Sequence, residues 1–146
     1  DPALARRACR TGFELTVLCA LLFALAMGGL RFQLAAVYSD KPAVIALAGA
    51  LLLVVALYHF ADALQTLCVF VLRCYRVTLA PLAIYCTLLW AVGLGGSYLL
   101  AYRGLGPWPA MQSPLAFWIM GAAALTVTAL LFGALLRWTM AHRVRG

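Results

Sequence analysis

Five polar side chains share one face of an apolar segment that runs from residue 42 to residue 72. A helix advances by about 100° per residue, so positions i−4, i−3, i, i+3 and i+4 fall on the same side. A carboxylate near the bilayer centre costs on the order of 3 kcal/mol, and such residues usually face a bundle interior and mark an ion or substrate path. The central residue, Asp62, is therefore the first candidate for a functional group. The five residues are Tyr58, His59, Asp62, Gln65 and Thr66.

The composition defines the element that must hold these residues. The chain has 146 residues, of which 66% are hydrophobic and 10% charged, and its mean hydropathy is +1.02. Soluble proteins average about 45–50% apolar and about 25% charged residues, so this composition indicates an integral membrane protein. The length suffices for about four spanning helices and leaves no room for a separate soluble domain. Because the first residue is Asp1, we expect a processed chain or a piece of a longer one.

Four apolar stretches predict four membrane-spanning helices, which makes the expected fold an all-α polytopic bundle. A short amphipathic segment at residues 32–38 is expected to lie at the membrane interface between the first two. Gly93, Gly95, Gly96 and Ser97 predict close helix packing or a bend in the third span. The predicted spans are residues 11–30, 42–73, 78–102 and 114–140.

Lysine and arginine are distributed unequally between the two ends of these spans. Eight lie on the side that holds the amino end, the second connection and the tail: Arg6, Arg7, Arg10, Arg73, Arg76, Arg137, Arg143 and Arg145. Three lie on the opposite side: Arg31, Lys41 and Arg103. Positive charge favours the cytoplasm, so both ends of the chain are expected there. Topology and anionic lipid head groups account for the net charge of +7, and we expect no nucleic-acid partner.

Classes of catalytic chemistry find no support in the sequence. The five cysteines form no Cys-x-x-Cys pair and are expected to be small buried hydrophobic residues. His59 and His142 are too far apart for a bis-histidine haem site, and no metal-ligand spacing, phosphate loop or nucleophile elbow occurs. We therefore expect neither an enzyme nor a cofactor.

A second carboxylate, Glu14, lies inside the first apolar stretch, four residues after Arg10. One interpretation is an interfacial ion pair one helical turn apart. The other is an ion-coupling carboxylate of a small four-helix multidrug exporter.

Several segments resemble the multidrug and toxic compound extrusion (MATE) transporters. Residues 31–48 resemble the external connection before a late helix, and residues 58–65 with 72–78 resemble the tenth helix of the NorM branch and its cytoplasmic exit. Residues 99–102 and 117–121 resemble the eleventh and twelfth helices. The most specific match is the pattern Tyr-x-x-x-Asp-Ala-x-Gln, which begins at Tyr58.

The resemblance implies a cation-coupled drug antiporter of twelve helices in two six-helix lobes. This chain would supply helices nine to twelve and end at the natural carboxyl terminus, and the amino-terminal lobe would be its missing partner. The tenth-helix aspartate of such proteins belongs to the cation site, assisted by the tyrosine one turn earlier, and these positions match Asp62 and Tyr58. A glutamate on the seventh helix would lie upstream of Asp1. The implied substrates are organic-cation drugs, and the implied location is the lipid bilayer of a bacterial inner membrane.

Two positions depart from the family pattern. His59 stands where a glutamine is common, and Cys74 stands where a glycine is usual. His59 would add a second titrating group near Asp62, so the coupling ion is either sodium, with Asp62 as its ligand, or a proton. Gln65 is expected to assist by hydrogen bonding. A further alternative is a membrane subunit that transports nothing and uses the polar stripe to bind a partner helix.

Overall fold

The computed structural model describes residues 2–143 and the side-chain surroundings of residues 3–142. Four of its five helices are long and apolar enough to cross a membrane, which confirms the predicted all-α, four-span fold. The part of the chain that is described contains no β-strand. The helices are α1 (Pro2–Gly29), α2 (Arg31–Tyr38), α3 (Pro42–Cys74), α4 (Leu79–Arg103) and α5 (Leu115–Arg143).

The helix ends differ from the predicted spans mainly at the two ends of the chain. Helix α1 begins at Pro2 rather than at residue 11, because alanine, leucine and arginine all favour helix and extend it beyond the apolar stretch. Helix α5 likewise continues past residue 140 to Arg143. The rest of the predicted basic tail, including Arg145, lies outside the described residues.

Helix α3 is the central element of the bundle. It packs against α1 on one side and against α5 on the other, and α4 packs mainly on α5. At about 1.5 Å per residue its 33 residues extend for about 50 Å, more than the roughly 30 Å of a hydrocarbon core. The polar residues therefore lie within a helix that is long enough to cross a membrane, with a neighbouring helix on either side.

The short helix α2 corresponds to the predicted interfacial segment and lies against the first half of α3. A Cβ atom at Gly49 would lie 2.5 Å from Cε1 of Phe32, so only glycine allows this approach. The ring of Phe32 also lies under the guanidinium of Arg31, which is 4.7 Å from its centroid.

The best-packed part of the bundle lies between α3 and α5. Its centre is a cluster of four buried side chains, Cys68, Leu72, Phe132 and Leu136. Buried hydroxyls of α5 are satisfied within the helix, because Thr128 donates to the carbonyl of Ala124 (2.8 Å) and Thr139 to that of Leu135 (2.8 Å). These bonds avoid the cost of unsatisfied polar groups in an apolar environment.

Helix α4 is wound unevenly. Leu88–Gly95 and Leu99–Arg103 are π-helical, and the α-helical turn Gly96–Tyr98 separates them. The hydroxyl of Ser97 donates to the carbonyl of Gly93. Gly96 faces the side chain of Met120 so closely that a Cβ atom there would overlap it. The small residues of α4 therefore combine close packing against α5 with irregular winding.

Candidate cation site

Asp62 is half-buried in the middle of α3, and its carboxylate is held by a neighbouring amide. Nε2 of Gln65 donates to Oδ1 of Asp62 (3.1 Å) and to Oγ1 of Thr66 (3.0 Å). The Gln65 side chain is fixed in turn by its surroundings, since only 7% of the residue is exposed. These three members of the predicted stripe therefore form one hydrogen-bonded group, which leaves the second carboxylate oxygen available.

Tyr58, one helical turn before Asp62, is oriented by α5. Its ring packs edge-on against Trp118, with 5.7 Å between the ring centroids and 79° between the planes. A Cβ atom at Gly121 would lie 3.6 Å from Cε2 of Tyr58, so the ring rests against the glycine backbone. Four residues correspond to a rise of about 6 Å, which sets the distance along the helix between Tyr58 and Asp62.

His59 is held by a different neighbour. Its ring lies edge-on to Phe23 of α1, with the centroids 6.1 Å apart and the planes at 74°. Around the helix axis Asp62 falls between Tyr58 and His59. The polar stripe therefore lies between α5 and α1. Asp62 is on the part of the stripe between the Tyr58–Trp118 contact and the His59–Phe23 contact.

The charges around the two membrane carboxylates differ. Within residues 3–142, the ion pair that forms is Arg10 to Glu14, with 2.8 Å between Nε and Oε1. The side chains are 82% and 62% exposed, so the predicted ion pair one turn apart forms on the outer face of α1. Asp62 has no arginine or lysine partner among the described side chains and depends on the Gln65 amide.

The ligand chemistry of the site is that of oxygen atoms. No group of three or more His, Cys, Asp or Glu residues gathers within the described part of the chain. The oxygen-bearing side chains on this face of α3 include the carboxylate of Asp62 and the hydroxyls of Tyr58 and Thr66, and oxygen atoms are the ligands that hard cations prefer. The donor set suits a sodium ion, and the carboxylate alone suits a proton.

The cysteines lie apart from this site, and their environments only partly match the sequence expectation. All five are free thiols. Cys68 is buried as predicted, but Cys19, Cys74 and Cys86 are exposed on the apolar surface of the bundle. The sequence could not separate a buried from an exposed apolar position on helices that are apolar on most sides.

An aromatic cavity beside Tyr58 was not predicted from the sequence. It has a volume of about 410 Å³ and lies where α3, α4 and α5 meet. One feature of the sequence could have indicated it. Phe117 and Trp118 precede Gly121 by about one helical turn, and a large aromatic residue next to a glycine leaves space on the face of a helix. Its lining consists of Tyr58, Leu89, Trp90, Gly93, Leu94, Ser97, Phe117, Trp118 and Gly121.

Comparisons with known proteins place the chain among transporters. The family model described as MatE matches residues 1–99. A probable multidrug resistance protein NorM of Aromatoleum aromaticum is 38% identical over 143 residues, which cover 96% of this chain and 30% of that protein. A probable multidrug resistance protein NorM of Shewanella oneidensis is 41% identical over 116 residues, covering 78% of this chain and 24% of that protein. No solved structure matches the chain.

Proposed function

This chain belongs to the MatE family of multidrug and toxic compound extrusion transporters, and from that membership we propose that it forms the carboxyl-terminal part of a cation-coupled exporter of organic cations. It is a multi-pass membrane protein and not an enzyme. The chain spans less than a third of the length of the relatives named above, both of which are called multidrug resistance proteins. The whole transporter would therefore include an amino-terminal lobe that completes the translocation path.

The observation that carries the proposal is the state of Asp62. Its carboxylate lies in a helix long and apolar enough to cross a membrane, half-buried, with one amide donor and no cationic side chain beside it within residues 3–142. A carboxylate in an apolar span is costly to hold without a positive charge beside it, so a mobile cation is attracted to it. Asp62 is thus suited to bind a mobile cation, because no lysine or arginine side chain already neutralises it.

The neighbouring residues have distinct roles in this proposal. Tyr58 contributes its hydroxyl as a ligand or orients the ion, because Trp118 fixes the direction of its ring. Gln65 holds the empty carboxylate by its hydrogen bond. His59, on the side of α1, is the second polar ring beside Asp62 and is held by its contact with Phe23. No cofactor is required, because the energy comes from the ion gradient.

The coupling cycle follows from competition for one negative charge. When an ion occupies Asp62 the site is neutral and attracts no organic cation. When the ion leaves, the exposed carboxylate stabilises a positively charged drug by charge attraction. The coupling ion and the drug cannot occupy Asp62 at the same time. As the site opens to one side of the membrane and then the other, the two cations are therefore transported in opposite directions.

The proposed location is the inner membrane of a bacterium, with both ends of the chain in the cytoplasm. The support for this orientation is the distribution of basic residues, eight against three, because lysine and arginine favour the cytoplasmic side. A cysteine-accessibility experiment with single cysteines at Arg76 and Lys41 would test it. Cytoplasmic protection is expected at position 76 and external labelling at position 41.

The test of the coupling role is Asp62→Asn in the full-length transporter, reconstituted in vesicles with a sodium or a pH gradient. Ethidium export that depends on the gradient is expected to fall to background, because the amide binds neither ion. The matched control is Asp40→Asn, since Asp40 is an exposed carboxylate in the connection between α2 and α3. Export that stays gradient-dependent in Asp62→Asn would overturn the assignment. A loss of assembly without loss of ion dependence would instead support a helix-binding role for the stripe.

A further inference from the structure

The aromatic cavity between α3, α4 and α5 has a composition that the ion site does not explain. Four aromatic rings line it, one from α3, one from α4 and two from α5: Tyr58, Trp90, Phe117 and Trp118. Its volume of about 410 Å³ lies within the range of about 300–1,000 Å³ typical of small-molecule sites. The cavity is therefore large enough for a compact organic molecule.

Small residues create this space, and ring contacts keep it open. Gly93, Ser97 and Gly121 lie on the walls and project little into the cavity. The edge-on contact between Tyr58 and Trp118 holds two of the rings, and such contacts add to the stabilisation that comes from burial. The cavity is thus a property of the packing of three helices and not of one mobile side chain.

The lining offers aromatic surface and almost no hydrogen bonds. The hydroxyl of Ser97 is already committed to the carbonyl of Gly93. The faces of Trp, Tyr and Phe rings carry partial negative charge and attract organic cations. The carboxyl group of Asp62 lies one turn beyond Tyr58, about 6 Å further along α3, and is outside the lining itself. A lipid acyl chain would fill the apolar space without interacting with the Asp62 carboxylate. An aromatic cation would interact with both the aromatic rings and that carboxylate.

We propose that this cavity is a substrate subsite that takes the aromatic body of an organic cation and directs its positive charge toward Asp62. The inference rests on the proposed function and adds to it the place where the hydrophobic part of the substrate binds. Tyr58 then has two functions, since its ring lines the subsite and its hydroxyl belongs to the ion site. Drug and ion would be linked through this one side chain.

The test is ethidium binding to the detergent-solubilised full-length transporter, measured by fluorescence, for Trp90→Leu and Phe117→Leu. Trp90 is 69% exposed, so leucine removes a ring without opening the core. We expect ethidium to bind about three- to tenfold more weakly to each variant. The ion concentration for half-maximal export should stay within twofold. The control is Trp138→Leu, because Trp138 is 59% exposed on α5 and lies outside the cavity.

The possible results separate this inference from the proposed function. Ethidium affinity in both variants equal to that of Trp138→Leu would overturn the subsite, including the case in which a lipid chain occupies the cavity. Weakened ethidium binding together with an unaffected Asp62→Asn variant would overturn the coupling role and retain the subsite. Weakened binding in the two cavity variants alone, with normal ion dependence, supports the inference.

Discussion

Two carboxylates occupy apolar helices of this protein, and their surroundings differ in almost every respect. Glu14 lies near the start of the apolar stretch within α1, largely exposed, with the guanidinium of Arg10 one turn away. Asp62 lies in the middle of α3, half-buried, with an amide as its hydrogen-bond partner. A carboxylate that has a fixed cation at the membrane surface is already neutralised. One that lacks such a partner at membrane depth is free to exchange mobile cations.

Hydropathy alone cannot tell which of the two carboxylates is the functional one. Both interrupt long apolar stretches, and both would appear equally unusual in a sequence profile. What separates them is the distance to the end of the apolar stretch in the sequence and the presence of a basic residue four positions away. The following predictions test this difference, beginning with the largest expected effect.

The hydrogen bond from Gln65 is predicted to control how tightly Asp62 holds its ion. Gln65→Leu removes the donor that stabilises the empty, charged carboxylate, a bond to a charged group that contributes about 1.5–3 kcal/mol. The ion concentration that gives half-maximal export should therefore fall about tenfold, and ion release should slow. Titration of ethidium export against sodium and against pH measures this shift.

A matched control for Gln65→Leu is Thr126→Val. The Thr126 hydroxyl donates to the carbonyl of Ala122 (2.7 Å) within α5 and does not contact Asp62. Its loss should leave the ion titration unchanged. An ion affinity in Gln65→Leu equal to that of the wild type would show that the amide does not act on the carboxylate.

The hydroxyl of Tyr58 is predicted to have a smaller effect than the Gln65 amide. Tyr58→Phe keeps the ring against Trp118 and removes only the hydroxyl, so ion binding should weaken about threefold while thermal stability is retained. Tyr58→Leu should lower stability as well, because it removes the ring contact. If Tyr58→Phe binds the ion normally, the tyrosine acts only through its ring.

The smallest effect is expected at Glu14. Glu14→Gln breaks an exposed ion pair, and such pairs contribute little to stability and nothing to a buried site. Gradient-driven export should change by less than twofold in the same vesicle assay. A loss of export equal to that of Asp62→Asn would reverse the comparison and favour the small four-helix exporter.

Much of the fold was predictable because the membrane imposes a simple requirement. A span needs about 20 apolar residues, and polar or proline-rich connections end it, so four helices follow from the sequence. The winding of α4 was not predictable. Its residues are mostly apolar, so their periodicity cannot distinguish an α-helix from a π-helix.

The arrangement of the site residues along α3 was predictable from the sequence, but their contacts with other helices were not. Local spacing places Tyr58, His59 and Asp62 on neighbouring sectors of α3, and the hydrogen bond from Gln65 follows from the same spacing. Which helix meets each residue depends on packing between distant segments. The sequence therefore indicated one polar stripe, whereas the structure directs Tyr58 to α5 and His59 to α1.

The uneven winding of α4 has an evolutionary consequence. A π-helical turn holds one residue more than the α-helical turn it replaces. Deletion of one residue within Leu88–Gly95 can therefore be absorbed by rewinding, with the faces of the helix before and after it unchanged. The same deletion in α3 would rotate every later side chain by about 100° and separate Tyr58 from Asp62. Among homologous proteins, single-residue gaps are thus expected in α4 and not in α3.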